Sequence, residues 1–455
     1  MKYFSSLLLV FIAPVMLLSA CKDASGNSQV SNKASVDLAV KINRAQDKNF
    51  RIGFQSVLVP NKHILLVNSH LDLPVINMPL DPSLRAWRKA QLFIGQKLFA
   101  EKSLSGSGKL SCSDCHTHDA AHASQAGVEI PMGGINLSLQ GMRASPSLLY
   151  KDHTPEFTLS KVGPVGGFDW DGRANSRVEQ ALGPLFAVDE MANSSIKAVA
   201  DKIRALSYFN DFKSAFILTN SVSDQKIYDT LVLALDIYQQ FDSDYNLFNS
   251  KFDLYLDGEV ALTNQEIRGM EIFKNPLKGN CDSCHTSGVS PSGERPLFSN
   301  FRFSAQGVPR NPRIEANKSK DFYDMGLCGP KRTDLKSRLD LCGQFKVPTL
   351  RNVAITPPYF HNSSVATLKE AVLFYATRDT KPAKWYPVLS NQQVDKFNDL
   401  PLALRGNVNH ELPFSKKPGT QPALSDQDVE DLVEFLQTLT DEHSAPQRPS
   451  TLKRR

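Results

Sequence analysis

Two short stretches of this sequence share one pattern: two cysteines three positions apart, followed directly by a histidine. They are Cys112-Ser113-Asp114-Cys115-His116 and Cys281-Asp282-Ser283-Cys284-His285. Two thiols at this spacing can form thioethers to the vinyl groups of one porphyrin, and the histidine that follows can bind its iron. A redox-active cysteine pair or half of a zinc site is the alternative for a single motif. Because the pattern occurs twice and the sequence has no other Cys-x-x-Cys, we predict two covalently bound c-type haems.

The segments before the two motifs are predicted to be helices that position them. Asp81-Pro82-Ser83 is a good helix start, and apolar residues then recur at helical spacing as far as Leu98. A second helix is predicted from Leu262-Thr263, and the loop 275–279 connects it to the second motif. A third is predicted from Leu424-Ser425-Asp426 to about Leu439. This internal repeat of helix, loop and motif predicts a mainly α-helical chain.

The repeat also predicts two tandem cytochrome c-like haem domains, with the active centre near their interface. We expect the N-terminal domain to cover residues 81–245 and the C-terminal domain residues 246–443. Residues 444–455 are expected to be a basic tail.

The start of the chain has the features of a bacterial lipoprotein signal. An apolar run from Leu7 to Leu18 is too short to span a bilayer comfortably, and Leu18-Ser19-Ala20-Cys21 resembles a lipobox. We predict a signal peptide over residues 1–20, lipidation at Cys21, and a tether with an N-terminal extension over residues 21–80. An ordinary cleaved signal with a coincidental cysteine is the alternative. Because the usual inner-membrane retention signal is not evident after Cys21, we expect a periplasmic protein anchored by lipid to the outer membrane.

Two cysteines remain after these assignments. Cys328 and Cys342 flank a polar loop. In an oxidising compartment the default expectation is a structural disulfide, and a free reactive pair is the alternative.

The composition limits the classes of partner. The chain has 455 residues, of which 41% are hydrophobic and 22% charged, as in an ordinary globular protein. Its net charge of +5 is small for this length, and no basic stripe is interleaved with aromatic residues. We therefore expect no nucleic-acid partner.

Further stretches resemble motifs of the bacterial di-haem cytochrome c peroxidases and their MauG-type relatives. The likeness covers about residues 84–440. The matching stretches are Phe168-Asp169-Trp170-Asp171-Gly172-Arg173, Glu179-Gln180-Ala181-Leu182-Gly183-Pro184 with Glu190-Met191, Phe345-Lys346-Val347-Pro348-Thr349-Leu350-Arg351-Asn352-Val353, and Pro358-Tyr359-Phe360-His361. The resemblance implies a di-haem oxidoreductase that reacts with hydrogen peroxide.

The resemblance also implies roles for individual residues. His116 would ligate the peroxide-reacting haem and His285 the electron-transfer haem, with Trp170 as an electron relay between them. Gln180 and Glu190 match the distal pair over the reactive iron. Splitting the O–O bond of peroxide needs a base that moves a proton from the oxygen nearer the iron to the oxygen farther from it, and an amide can orient the peroxide. The alternatives are a core aromatic for Trp170 and a helix-start carboxylate for Glu190.

Two departures from the ordinary peroxidases favour the MauG-like branch. Those enzymes carry a distal histidine after the first motif, but residues 128–143 contain none, and His118 and His122 follow His116 too closely to reach the opposite face. We therefore expect an open first haem that needs no reductive activation. At the second haem, Tyr375 occupies the position of a distal methionine and matches the axial tyrosine of MauG. A phenolate favours oxidised iron, whereas a thioether favours the ferrous state; a buried core tyrosine is the alternative.

The family also implies a calcium ion between the domains. Thr356 and Pro358 match positions that contribute carbonyl oxygens, but Ala144 replaces the asparagine ligand. Water or other carbonyls can fill such a position, because calcium takes several oxygen ligands. Calcium is therefore an expectation that the sequence supports only in part.

Together these features predict an enzyme in which peroxide meets the haem of His116 and Trp170 connects the two haems. Cleavage of peroxide leaves two oxidising equivalents, which pass to an electron-donor protein or to a side chain of a protein substrate, as in MauG-type maturation. One alternative is an ordinary cytochrome c peroxidase fed by a small cytochrome or copper protein. Another is a non-catalytic di-haem electron carrier, which requires a second strong ligand on the first haem.

Overall fold

The structure is a computed structural model that describes residues 54–58, 64–68, 82–125, 128, 130–414 and 416–442. The predicted signal peptide, Cys21, the basic tail and most of the predicted extension 21–80 lie outside the described residues. Within that extension, strands β1 (Phe54–Leu58) and β2 (Ile64–Asn68) form an antiparallel hairpin in which Phe54 pairs with Asn68. By its contacts this hairpin belongs to a unit separate from the residues that follow.

The remaining regular elements of the described ranges are mostly helices. The α-helices are α1 (Pro82–Phe99), α2 (Cys112–Cys115), α3 (Arg177–Phe186), α4 (Ile196–Ala205), α5 (Phe209–Ala215), α6 (Asp224–Phe241), α7 (Lys251–Leu256), α8 (Asn264–Lys274), α9 (Leu368–Thr377) and α10 (Asp426–Gln437). The strands are β3 (Met132–Gly133), β4 (Leu139–Gln140), β5 (Thr158–Ser160), β6 (Gly163–Val165), β7 (Phe303–Ser304) and β8 (Phe345–Lys346). The prediction of a mainly helical chain is confirmed.

The first haem motif lies beside a core built largely from α1 and α3–α6. The fully buried apolar residues of this core all come from positions 94–245 and include Ile94 and Leu98 of α1. Helix α1 passes close to α6 because position 95 is a glycine, where an added Cβ would lie only 2.4 Å from the carbonyl oxygen of Ala234. The helix predicted from Asp81 is therefore present from Pro82 and buries the expected face.

The second haem motif lies beside a core in which α8 packs against α10. Both helices begin in capping boxes, and the hydroxyls of Thr263 and Ser425 accept the N–H of the third helical residue. The two helices approach closely at Gly269, where a Cβ would meet the carbonyl oxygen of Asp431 at 2.0 Å. The buried apolar residues of this core all come from positions 252–439. Each core thus adjoins one motif, which fits two tandem domains with a boundary near 245; that boundary stays a prediction.

The short strands pair in antiparallel two-stranded ladders, which connect segments that lie outside the two helical cores. The Cα partners include Met132–Gln140, Thr158–Val165 and Phe303–Lys346. Val165 of β6 also forms a bridge with Arg302, next to β7, so the ladders join segments from the two halves of the chain. Among the described helices, none is long and apolar enough to cross a bilayer.

A disulfide bond joins Cys328 and Cys342, whose Cα atoms lie 5.1 Å apart, and it closes a loop of irregular structure. Leu327 and Leu341, beside the two cysteines, are buried in a small cluster with Phe303 of β7. The two ends of the loop 328–342 are therefore fixed in the fold.

Candidate functional site

The first motif borders a cavity that gathers the predicted N-terminal site residues. Cys112 and Cys115 begin and end the short helix α2, and His116 follows directly. The Nδ1–H of His116 donates to the carbonyl oxygen of His122 at 2.9 Å, which leaves its Nε2 lone pair for a metal. The predicted residues that line this cavity are Cys112, Cys115, His116, Trp170, Gln180 and Glu190.

The second motif repeats this arrangement around another cavity. The Nδ1–H of His285 donates to the carbonyl oxygen of Phe298 at 2.9 Å. Tyr375 of α9 lines this second cavity, and its ring stacks on Phe414 with a centroid distance of 5.3 Å. The predicted residues that line the cavity are Cys281, Cys284, His285 and Tyr375.

Both cavities fit the porphyrin that each motif implies. The first cavity is lined by Cys112, Cys115 and His116 and the second by Cys281, Cys284 and His285, so each has the two thiols and the imidazole that hold a c-type haem. None of the four motif cysteines forms a disulfide, so all four can form the thioethers that a porphyrin requires. Burial lowers the pKa of both His116 and His285 to about 4, so both imidazoles are neutral and able to bind iron.

Trp170 lies between the two cavities. Of the described residues that line either cavity, Trp170 alone is shared by both. Its indole Nε1–H donates to the carbonyl oxygen of Ala144 at 2.8 Å, and its own carbonyl oxygen accepts the N–H of Lys346 at 2.8 Å. This position fits the predicted electron relay, and the role of Trp170 stays a prediction.

A buried ion-pair network holds the loop that carries Trp170. Arg143 donates from Nη1 to Asp171 at 2.7 Å, and from Nε and Nη2 to Asp324 at 2.7 and 2.8 Å. The three side chains are at most 8% exposed. Because Asp324 lies 181 positions after Arg143, the network joins distant parts of the chain.

We expect Arg143→Met to lower the free energy of unfolding by about 3–5 kcal/mol at neutral pH, because Asp324 would be left buried without its arginine and Asp171 would keep only Arg173. Burial alone would raise the pKa of Asp324, but Arg143 holds that pKa below its ordinary value. The stabilisation is therefore present above the ordinary carboxyl pKa of about 4 and is lost as the pH falls through the lowered folded value. Urea unfolding followed by circular dichroism at several pH values measures this loss.

The exposed pair of Arg338 with Asp340, at 2.9 and 2.6 Å, provides a matched control for this prediction. Arg338→Met is expected to cost at most about 1 kcal/mol, since exposed ion pairs contribute little. Equal losses for the two variants would contradict the role of the buried network.

Gln180 and Glu190 reach the first cavity from α3 and from the turn after it. The Nε2 group of Gln180 donates to Asp169 at 3.3 Å. Burial raises the pKa of Glu190 to about 6, while Lys331 acts to lower that pKa and Asp189 to raise it. A carboxylate whose pKa lies near neutrality suits a general acid–base role.

His118 and His122 do not line the first cavity. His122 is buried, and its ring stacks on Tyr245 with a centroid distance of 4.5 Å. His118 is 53% exposed and lies 3.4 Å from Asp244. Among the described residues around the cavity, His116 is the one histidine, although sulfur is also present in Met132, Met142 and Met191. An open first haem therefore stays a prediction.

The surroundings of Tyr375 disfavour a free phenolate. Burial raises the pKa of Tyr375, and nearby Arg378 acts to lower it. The Arg378 guanidinium is tied to Asp379 at 2.8 and 2.9 Å and lies 3.4 Å from the ring centroid of Phe414. A phenolate in this cavity thus needs a further positive partner, which a ferric iron can supply.

The predicted calcium ligands at Thr356 and Pro358 are backbone carbonyl oxygens rather than a cluster of acidic side chains. In the described ranges, no three His, Cys, Asp or Glu side chains converge as metal ligands. The hydroxyl of Thr356 donates to the carbonyl oxygen of Val353 at 3.2 Å, and the carbonyl oxygen of Ala144 already accepts the indole of Trp170. Calcium at Thr356 and Pro358 stays a prediction.

The charged groups around Glu190 have no role in the prediction from the sequence. Asp169, Asp189 and Lys331 line the same cavity. Asp169 and Asp189 adjoin recognised motif residues, so their positions in the sequence were an available signal. Nothing in the local sequence relates Lys331 to Asp189, which lies 142 positions earlier.

Comparisons with known proteins agree with this geometry. Residues 89–261 match the sequence model of a family described as di-haem cytochrome c peroxidase. The methylamine utilization protein MauG of Paracoccus denitrificans is 32% identical over 366 residues, which cover 78% of this chain and 89% of that protein. The cytochrome c551 peroxidase of Nitrosomonas europaea is 30% identical over 298 residues, 61% of this chain and 70% of that protein. The crystal structure of the diheme peroxidase BthA from Burkholderia thailandensis superposes with a TM-score of 0.71 and 37% identity, covering 82% of this chain and 89% of that one.

Proposed function

The chain belongs to the di-haem cytochrome c peroxidase and MauG family, and from that premise we propose that it reduces hydrogen peroxide at an open first haem and oxidises a partner protein in MauG fashion. Membership of this family makes it a di-haem oxidoreductase. The observation that carries the proposal is the first cavity, in which Gln180 and Glu190 accompany His116 and no second histidine is found among the described lining residues. An acid–base pair at this place has no task in a simple electron carrier.

The protein side chains of the first cavity perform the proton chemistry. Reduction of one peroxide to two waters breaks the O–O bond and consumes two electrons and two protons. Glu190 takes the proton of the near oxygen and returns it to the far oxygen, which leaves as water. Gln180 orients the peroxide with its amide. When bound, the haems supply the iron that coordinates the peroxide and the two electrons for the cleavage.

Trp170 connects the two cavities during this reaction. The hydrogen bond from its indole to Ala144 and the clamp of Arg143 on Asp171 hold the ring in one orientation. A fixed ring between two redox centres keeps the distance for electron transfer constant. The two electrons that the protein has lost are then returned from outside.

The external donor is proposed to be an oxidisable side chain of a partner protein. Tyr375 supports this choice, because it lines the second cavity and, by the sequence resemblance, matches the axial tyrosine of MauG. A small cytochrome or copper protein as donor is the alternative and uses the same first cavity. From the sequence, we further propose that the protein acts in the periplasm, held at the outer membrane by a lipid on Cys21.

The proposal is tested by mixing the fully ferric protein with stoichiometric hydrogen peroxide and recording both haem spectra by stopped-flow absorption. We expect rapid changes at both haems without prior reduction. A reaction that appears only after one-electron reduction would indicate a sixth ligand on the first haem and an ordinary gated peroxidase. Lack of reaction in both states would overturn the enzyme proposal and leave an electron carrier, with a methionine of the first cavity as the candidate ligand.

Trp170→Phe is expected to separate the responses of the two haems. The first haem should still react, but the second should respond more slowly, because the ring that lies between the cavities is harder to oxidise. The same stopped-flow traces measure this delay. Trp87→Phe is the control, since Trp87 lies on α1 and lines neither cavity. Simultaneous responses in the Trp170 variant would exclude the relay.

A further inference from the structure

A loop from the second half of the chain brings a cation to the first cavity. Lys331 lies near the start of the disulfide-closed loop 328–342 and lines the cavity together with Glu190. Its ammonium donates to the two carboxylate oxygens of Asp189 at 3.0 and 3.3 Å, and its side chain is 27% exposed. The cavity of the first motif is therefore completed by a residue 142 positions after Asp189.

The neighbouring residue anchors this loop at a second point. Arg332 is 6% exposed, and its Nη1 donates to the carbonyl oxygens of Asp171 and Gly172 at 2.9 and 3.0 Å. Its guanidinium also lies 3.7 Å from the ring centroid of Phe157. These contacts attach the loop to the segment that carries Trp170. Lys331 is thus held between a disulfide on one side and a buried arginine on the other.

We propose that Lys331 is a positioning residue of the peroxide reaction, whose ammonium, held by Asp189, favours the ionised carboxylate of Glu190 and so keeps it able to accept the peroxide proton. This inference rests on the function proposed above. A positive charge beside a carboxylate stabilises the charged form, and it does so most strongly where water is scarce.

Several charged groups besides Lys331 act on the pKa of Glu190, and together they determine how that pKa changes when Lys331 is removed. Burial is the largest influence and raises the pKa of Glu190, and Asp189 and Asp169 raise it further, whereas Lys331 and Arg173 lower it. Of these two cations, Lys331 has the larger effect on Glu190, and Arg173 lies 3.3 Å from Asp169 and donates to Asp171. The motif cysteines carry no charge once they are thioethers. Lys331 is therefore the main cation available to Glu190, and without it the pKa should rise above about 6.

The test compares three variants of the haem-loaded protein. The rate of the peroxide reaction should rise with pH as Glu190 ionises, and this rise is the acid limb of the pH profile. In Lys331→Met, the acid limb should move to higher pH by on the order of one unit. In Asp189→Asn, which removes a negative charge, the limb should move to lower pH. Lys336→Met is the control, since Lys336 is an exposed lysine of the same loop, and it should leave the limb in place. Opposite shifts in the first two variants cannot result from a general loosening of the cavity.

A second readout does not depend on turnover. The infrared band of the protonated Glu190 carboxyl, assigned by its loss in Glu190→Gln, is titrated with pH in the ferric protein, and the same opposite shifts are expected. If the wild-type protein does not react with peroxide, the proposed function fails while this titration still tests Lys331. If the wild-type protein reacts and Lys331→Met has the wild-type pH profile and titration, this inference alone is overturned. Shifts of both variants in the same direction would overturn it as well.

Discussion

Replacing Glu190 with Gln is expected to slow the reaction with hydrogen peroxide by about 10²–10⁴-fold, the range that general acid–base groups contribute. The amide keeps the shape of the side chain but cannot take a proton from the peroxide. Because burial raises the pKa of Glu190 to about 6, the wild-type rate should rise with pH through about 6 as the carboxylate ionises. The rate of the variant should not rise with pH in this range. Stopped-flow absorption over a pH range that brackets 6 measures both effects.

Glu179 provides the matched control for this substitution. Glu179 is exposed on α3, next to Gln180, and its carboxylate accepts the N–H of Asn175 at 2.8 Å. Glu179→Gln can keep that hydrogen bond and should leave both the rate and its pH dependence unchanged. A Glu190→Gln variant that reacts at the wild-type rate would show that the proton moves by another route.

Tyr375→Met is expected to raise the reduction potential of the second haem by on the order of 100 mV or more, within the ~0.8 V that axial ligands span. A phenolate stabilises ferric iron through its negative charge, whereas a thioether favours the ferrous state. Spectroelectrochemical titration of the two haems measures the change, and the potential of the first haem should stay nearly constant. The variant should also lose the shared response of both haems to peroxide.

Two further tyrosine variants distinguish ligation from packing. Tyr375→Phe keeps the ring that stacks on Phe414 but removes the oxygen, so the second haem should lose the axial ligand that the resemblance predicts, without gaining a thioether. Tyr255→Met changes a tyrosine that packs on the second core and lines neither cavity, and the potential should not move. An unchanged potential in Tyr375→Met would mean that Tyr375 is a core residue.

The parts of the molecule that depend on local chemistry could be predicted from the sequence. The Cys-x-x-Cys-His motifs need only five consecutive residues, and the helices that begin at Pro82, Asn264 and Asp426 follow from capping residues and apolar spacing. The motif residues Trp170, Gln180 and Glu190 came from a resemblance, and they line the cavity of the first motif.

The parts that depend on contacts between distant segments could not be predicted. No periodicity or motif pairs Arg143 with Asp324, or Lys331 with Asp189, because such ion pairs are decided by how the two halves fold against each other. The position of His122 beside His116 was also not foreseen, since its backbone carbonyl rather than its ring makes the contact. The environment of Glu190, and with it the pKa that decides its role, follows from these contacts.

The sequence separation of these contacts has a consequence for how the protein matures. The first motif leaves the ribosome well before Asp324 and Lys331, the residues that clamp the Trp170 loop and complete the charge around Glu190. A chain that has received its first haem but has not folded its second half therefore lacks the ion pairs that we propose to tune Glu190 and to hold Trp170. Reactivity towards peroxide should therefore be acquired last, when the whole molecule has folded. A partly folded chain would then not be exposed to the oxidising equivalents that the folded protein generates.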